Sequence, residues 1–186
     1  MRGFLAASLE VLEVALVTVG AVFLIRTFLV QPFLVSGASM VPNFANGDYL
    51  LIDELSYRLR APTRGEVAVF HYPNDESTFF IKRIIGLPGE RVAIRDGQVV
   101  VSNAEHPQGE TLQEPYLPLA TQTNPRPGGK NEYELGPDQY FVLGDNRSAS
   151  FDSREWGVLT RGEIVGLTRI RLWPPKSFQA FAAPQY

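Results

Sequence analysis

The sequence predicts a mainly β domain, a barrel or sandwich, preceded by a single N-terminal apolar helix. Three observations carry that prediction. Beyond Pro32 the apolar residues come in short runs with period-two alternation, the spacing of strands and not of helices. Turn-forming clusters separate those runs, drawn from 16 glycines and 14 prolines, residues that break helices and shape tight turns. Before Pro32, by contrast, the 20 residues from Val11 to Val30 are almost wholly apolar. Many short strands with no helical pattern between them point to an all-β architecture.

A helix over Val11 to Val30 would be about 30 Å long at roughly 1.5 Å per residue, the thickness of a hydrocarbon layer. Its uncharged part, Val14 to Ile25, covers 12 residues, and the flanking Glu13 and Arg26 can each reach an interface. A transmembrane helix and a buried or interfacial helix both fit, and the apolar length favours the span. Pro32 ends the helix, since it lacks an N–H and restricts the residue before it. No small-x-small motif follows the apolar core, so the segment reads as a retained anchor. Arg2 and Arg26 fall on opposite sides, which leaves orientation unencoded. The expected division is an anchor over 1–32 and a β-rich domain over 33–186.

Within that domain, Asn46-Gly47 turns the chain into a strand over Asp48 to Asp53. Ser56 to Arg60 reads as a polar connection. A turn at Arg64-Gly65 starts a strand in which Val67, Val69 and His71 share one face and Ala68, Phe70 and Tyr72 the other. Pro73 to Ser77 is a polar turn, Phe79 to Ile85 the next strand, and Arg91 to Val101 a hairpin folded about Asp96-Gly97. From about 103 to 137 prolines and glycines accumulate without periodicity, so an irregular excursion is expected there and not a second domain. Strand pattern returns at Gln139 to Leu143 and again from Gly162 to Leu172.

Composition excludes several classes of function. A net charge of −3 provides no basic stripe to neutralise phosphates, so no nucleic-acid partner is expected. The lack of cysteine removes disulfides, thiolate zinc sites and a cysteine nucleophile. With only His71 and His106, a histidine metal cage is not expected either.

The candidate nucleophile is Ser39, within Val35-Ser36-Gly37-Ala38-Ser39-Met40-Val41-Pro42. Small residues before it leave room for a substrate backbone, while Met40 and Pro42 stiffen the other side. A serine needs a base, and the strand Phe79 to Ile85 offers one. Alternation puts Lys82 with Phe80 and Ile84 on one face, and Arg83 with Ile81 and Ile85 on the other. Desolvation lowers a lysine pKa whereas arginine stays protonated. Lys82 is therefore the cation that can become a proton acceptor at ordinary pH, and Arg83 suits a carboxylate partner. A snorkelling edge-strand lysine is the other reading of Lys82, and a packed rim residue the plainer reading of His71. The loop from Gly144 to Arg154 balances Asp145 and Asp152 against Arg147 and Arg154 and adds Asn146, Ser148, Ser150 and Ser153. Such density fits a preorganised polar shell or a solvated, side-chain-capped turn.

Three separated stretches then match one family in order. Ser39-Met40 with Pro42, Lys82-Arg83 leading into Gly86-Leu87-Pro88-Gly89, and Gly144-Asp145-Asn146-Arg147 with Ser150, Asp152, Ser153 and Arg154 resemble the signature boxes of bacterial type I signal peptidases. The Arg64 to Phe70 strand resembles a fourth box and the apolar N-terminus the membrane anchor. Several boxes in one order are far more specific than any single pattern. The resemblance implies a signal-peptidase-like, mainly β fold and a membrane-anchored serine endopeptidase working through a Ser/Lys dyad. It also implies a single pass of the bacterial cytoplasmic membrane, with the catalytic domain on the extracytoplasmic side. Carried over by position, Ser39 is the nucleophile and its backbone N–H an oxyanion donor, Lys82 is the general base, and Ser150 is a hydrogen-bond partner that orients the lysine. Arg83 with Asp145, and Asp152 with Arg154, are implied ion pairs supporting the site. Gly37 is a departure: many members carry a serine there whose hydroxyl helps hold the oxyanion, and Ser36 is one residue out of place for that task.

On this reading signal peptides of exported preproteins bind in extended form along strand edges near Val35, Gly37, Met40, Phe80 and Ile81. The resemblance implies small side chains just before the cut and two residues earlier. The partners are those signal peptides and the lipid bilayer, and the chain is expected to act as a monomer without metal or cofactor. A non-catalytic anchored β-domain and a histidine-dependent hydrolase, using Ser39 with His71 or His106, stand as alternatives. A self-cleaving repressor of the related Ser/Lys type is disfavoured, because an apolar anchor occupies the place of its DNA-binding helices.

Overall fold

The computed structural model describes residues 10–20 and 30–183. Residues 10–20 form a helix, α1. Residues 21–29 of the expected membrane segment lie outside the described residues, and among the described residues no helix is long and apolar enough to cross a membrane. The helix does not continue to Pro32 as expected. Val30–Leu34 is instead strand β1, antiparallel to β2 (Tyr49–Asp53) with Pro32 opposite Leu51. Proline is tolerated because, among the described residues, β1 is an edge strand, one side of which has no ladder to complete.

The chain continues through α2 (Leu55–Leu59), β3 (Val67–Tyr72), β4 (Asp75–Gly86), β5 (Arg91–Arg95), β6 (Gln98–Ser102), β7 (Glu110–Thr111) and β8 (Glu132–Glu134). It ends with β9 (Gln139–Leu143), α3 (Ser153–Trp156), β10 (Leu159–Thr160), β11 (Ile164–Trp173) and β12 (Gln179–Ala180). One sheet runs β1-β2-β11-β3-β4-β9-β10, with β12 on β11, and a second runs β7-β6-β5-β8. The protein is mainly β, as the strand spacing predicts. The connection at Ser56 to Arg60 differs, because α2 occupies it. Asp53 accepts the Ser56 N–H at 2.9 Å and Tyr57 is buried; a single helical turn is too short to leave a periodic signal.

Strand β3 shows why the alternation matters. Val67 and Val69 pack with Met40, Phe44, Leu50 and Ile52, while Ala68 and Phe70 pack with Ile84, Val142 and Leu159. Buried on both faces, β3 is a rigid neighbour for β4. A third cluster, with Ile85 and Phe141 against Val92 and Val99, joins the two sheets. The β5–β6 hairpin closes at Asp96 and Gly97, with φ 51° and 78°, a primed two-residue turn that suits the strand twist. The stretch from 103 to 137 is largely irregular but lends β7 and β8 to the second sheet.

Candidate active site

Ser39 lies in the turn between β1 and β2, and local bonds fix that turn. Asn46 Oδ1 accepts the Gly37 N–H at 2.9 Å, while Val35 exchanges backbone bonds with Asp48 and Gly47, both 2.9 Å. Gly37 has φ 101°, a conformation in which a side chain is strained, so there is a backbone reason for its lack of a hydroxyl. Met40, expected at the substrate edge, is 1% exposed and packs with Phe44. It anchors the far side of the turn in the core, where apolar burial holds it. The Ser39 N–H has no intramolecular acceptor among the described residues.

Lys82 reaches the same place from β4, opposite Ala68 of β3. Its Nζ stands 2.9 Å from Ser39 Oγ, donates to the Ile81 carbonyl at 2.9 Å and lies 5.1 Å from the Phe80 ring centroid. Burial pushes the Lys82 ammonium down to about 8, against the upward pull of Asp152, Asp145 and Glu155. Desolvation wins because the side chain is enclosed while the carboxylates are already engaged with arginines or backbone. A cleft of about 310 Å³ opens over the pair, lined by Val35, Gly37, Phe80 and Ile81 together with Phe79 and Phe151.

The 144–154 loop supports both residues. Arg83 donates from Nε and Nη2 to the Asp145 carboxylate at 2.8 and 2.6 Å, and Arg154 grips Asp152 in the same two-pronged way, 2.8 Å each. Asp152 also accepts the Gly144 N–H at 3.0 Å and caps α3. Ser150 is buried, but its Oγ has no hydrogen-bond partner among the described residues. The expected bond from Ser150 to Lys82 is not formed here, since Nζ is directed at Ile81 and Ser39. Ser150 is nonetheless close: a Cβ on Gly144 would collide with its Oγ and stand 2.5 Å from the Ser39 carbonyl oxygen.

The sequence placed Asn146 in the polar loop without a role of its own, and in the structure it clamps the nucleophile turn. Its N–H donates to the Ser39 carbonyl at 2.9 Å and its Nδ2 to the Ala38 carbonyl at 3.1 Å, across 108 positions of chain. Asn43 likewise ties Asp145 to the Tyr116 carbonyl, at 2.8 and 2.9 Å. Only the polar density of the loop hinted at such a role. Neither histidine joins the pair: His71 Nδ1 is 2.6 Å from the Glu76 carbonyl, and His106 faces Glu110.

A serine hydroxyl against a buried lysine amine, at the wall of an apolar cleft, has what nucleophilic hydrolysis requires. Comparison with known proteins specifies the class. Residues 8–173 match the family described as signal peptidase, peptidase S26. The probable signal peptidase I-2 of a Synechocystis species is 40% identical over 88% of this chain and 73% of its own length. Signal peptidase I of Leptolyngbya laminosa is 36% identical over 81% and 72%, and that of Bacillus caldolyticus 35% identical over 87% and 90%. The chain belongs to the signal peptidase family, peptidase S26, as a type I signal peptidase and hence a serine endopeptidase.

Proposed function

We propose that this chain cleaves signal peptides from exported preproteins through a Ser39/Lys82 dyad. The observation that carries the reading is the 2.9 Å contact between Lys82 Nζ and Ser39 Oγ inside the apolar cleft. Neutral Lys82 takes the Ser39 proton as Oγ attacks the scissile carbonyl, and the Ser39 N–H receives the developing oxyanion. The resulting ammonium returns that proton to the leaving amine as the C–N bond breaks, which leaves an ester on Ser39. Lys82 then deprotonates a water that attacks the ester; Ser39 recovers its proton and the new carboxylate leaves. Val35, Gly37, Phe80 and Ile81 hold the substrate strand, and Ser150 packs beside the dyad as a positioning residue. The ion pairs of Arg83 with Asp145 and Arg154 with Asp152 hold the loop.

The N-terminal segment anchors the β-rich domain in a bilayer, on the extracytoplasmic side, and the enzyme works as a monomer. The apolar run from Val11 supports this, together with the short path from it to Ser39. The test is cleavage of a preprotein in detergent by the wild-type chain, Ser39→Ala and Lys82→Ala. Both variants are expected to lose activity by about a thousandfold or more. The wild-type rate is expected to rise with pH and level off above about 8, as Lys82 loses its proton. Undiminished cleavage by Lys82→Ala would remove the dyad from consideration.

A further inference from the structure

A second depression is lined in part by the residues that follow Ser39 in the chain. It is lined by Val41 and Pro42, by Asn146 and Ser148, and by residues of the 118–124 stretch including Ala120 and Gln122, and holds about 460 Å³. Two segments of the chain line both depressions, running from the first to the second in opposite directions. The nucleophile turn contributes Ser39 to one and Val41 to the other, and the catalytic loop contributes Ala149 to one and Ser148 to the other. Met40, between Ser39 and Val41, is buried, and Asn146 bonds the two segments together at Ala38 and Ser39.

We propose that this second groove binds the stretch of substrate that follows the scissile bond, the new N-terminal segment of the mature protein. The proposal rests on the Ser39/Lys82 reading. An endopeptidase must hold chain on both sides of the bond it cuts, and the two segments that line the first cleft at Ser39 and Ala149 line the second at Val41 and Ser148. The lining suits a backbone of variable sequence. Gln122 and Asn124 offer amides and Thr121 a hydroxyl, neutral groups that pair with peptide N–H and C=O, while Asn146 and Ser148 are engaged with Ala38 and with each other. The charges at its floor are already engaged, Asp145 with Arg83 and Arg147 with Glu114, so no side-chain charge is demanded of the substrate.

The groove also gives the irregular excursion a purpose. Residues 118–124 are its outer wall, and the wall is latched to the catalytic loop. Arg147 bonds Thr123 and Glu114, and Arg154 Nη1 donates to the Asn124 carbonyl at 3.2 Å. Binding energy from a remote part of a substrate is spent at the reacting centre, so a substrate truncated after the cut should lose rate and not only affinity.

The experiment uses the full chain in detergent and two peptides identical up to the cleavage site. One ends a single residue beyond it and the other extends several residues further. The ratio of their kcat/KM values is measured for the wild type, for Ala120→Trp, which fills the groove, and for Gln108→Trp, which places the same side chain at an exposed site of the excursion outside the groove. Extension is expected to raise kcat/KM by about tenfold in the wild type and Gln108→Trp, and to give no gain in Ala120→Trp. A ratio near one in the wild type, or an equal gain in all three chains, would overturn the proposal. The underlying reading fails separately, if Ser39→Ala cleaves either peptide at the wild-type rate.

Discussion

Lys82 owes its proposed reactivity to enclosure. Free in water it would be an ammonium at neutral pH, and removed from water beside Phe80 and Ile81 it becomes a base near pH 8. Burial has a stability consequence whose sign follows from linkage. Between about pH 8 and the ordinary lysine value of 10.5, the unfolded chain binds a proton here that the folded chain does not, so stability rises with pH through that window. Below it the folded protein carries a poorly solvated cation. Lys82→Met should therefore raise the melting temperature at pH 7 by roughly 2–6 °C, with the difference shrinking towards pH 10, while abolishing cleavage. Calorimetry across that range checks it. Asn146 works at the same scale but through backbone. Asn146→Ala removes one of its two bonds to the nucleophile turn, so kcat should fall about tenfold with KM and melting temperature little changed. The pH profile should keep its inflection, because Lys82 itself is untouched.

The loop after β9 and the strand β4 work as a coupled pair of elements. Strand β4 sends Lys82 to the nucleophile and Arg83 to the opposite face, where its two-pronged bond to Asp145 fixes the loop that bears Asn146. Asp145 and Arg83 are both buried, and removing one partner leaves an uncompensated charge. Asp145→Ala should cost about 3–5 kcal/mol in a denaturant titration, whereas a surface pair such as Arg58 with Glu54 should contribute about 0.3–0.5 kcal/mol. Gly144 adds a steric condition, since only a residue without Cβ lets the loop approach Ser39 and Ser150 this closely.

At the scale of the whole molecule, the order β2-β11-β3-β4-β9 places the nucleophile turn, the lysine strand and the polar loop around one cleft. The sheet begins at Val30, three residues before the expected start of the β-rich domain at Phe33. A chain starting at Val30 should keep the strand content and melting behaviour of the full protein, measured by circular dichroism. One starting at Ser36 should be markedly less stable, because it lacks β1 and the buried Val35. Loss of the fold in the first truncation would show that the N-terminal segment is part of the domain.

Much of this was legible in sequence because the relevant signals are local. The period-two faces of β3, the Asp-Gly hairpin and the alternation of Lys82 with Arg83 depend on neighbours within a few residues. Other features were not legible, because they arise between residues far apart in the chain. Met40 looked like a substrate contact until Phe44 and Leu50 closed over it, and Pro32 looked like a helix stop until β2 paired with it. Asn146 acquired its role only where the fold brought it to Ala38. The sequence by itself determined the mainly β class with its longer inner strands, the candidate serine and lysine, and the family. Tertiary structure alone decided how dry Lys82 is, which carbonyls Asn146 holds and where the second groove lies, because desolvation and hydrogen-bond geometry exist only once distant segments have packed.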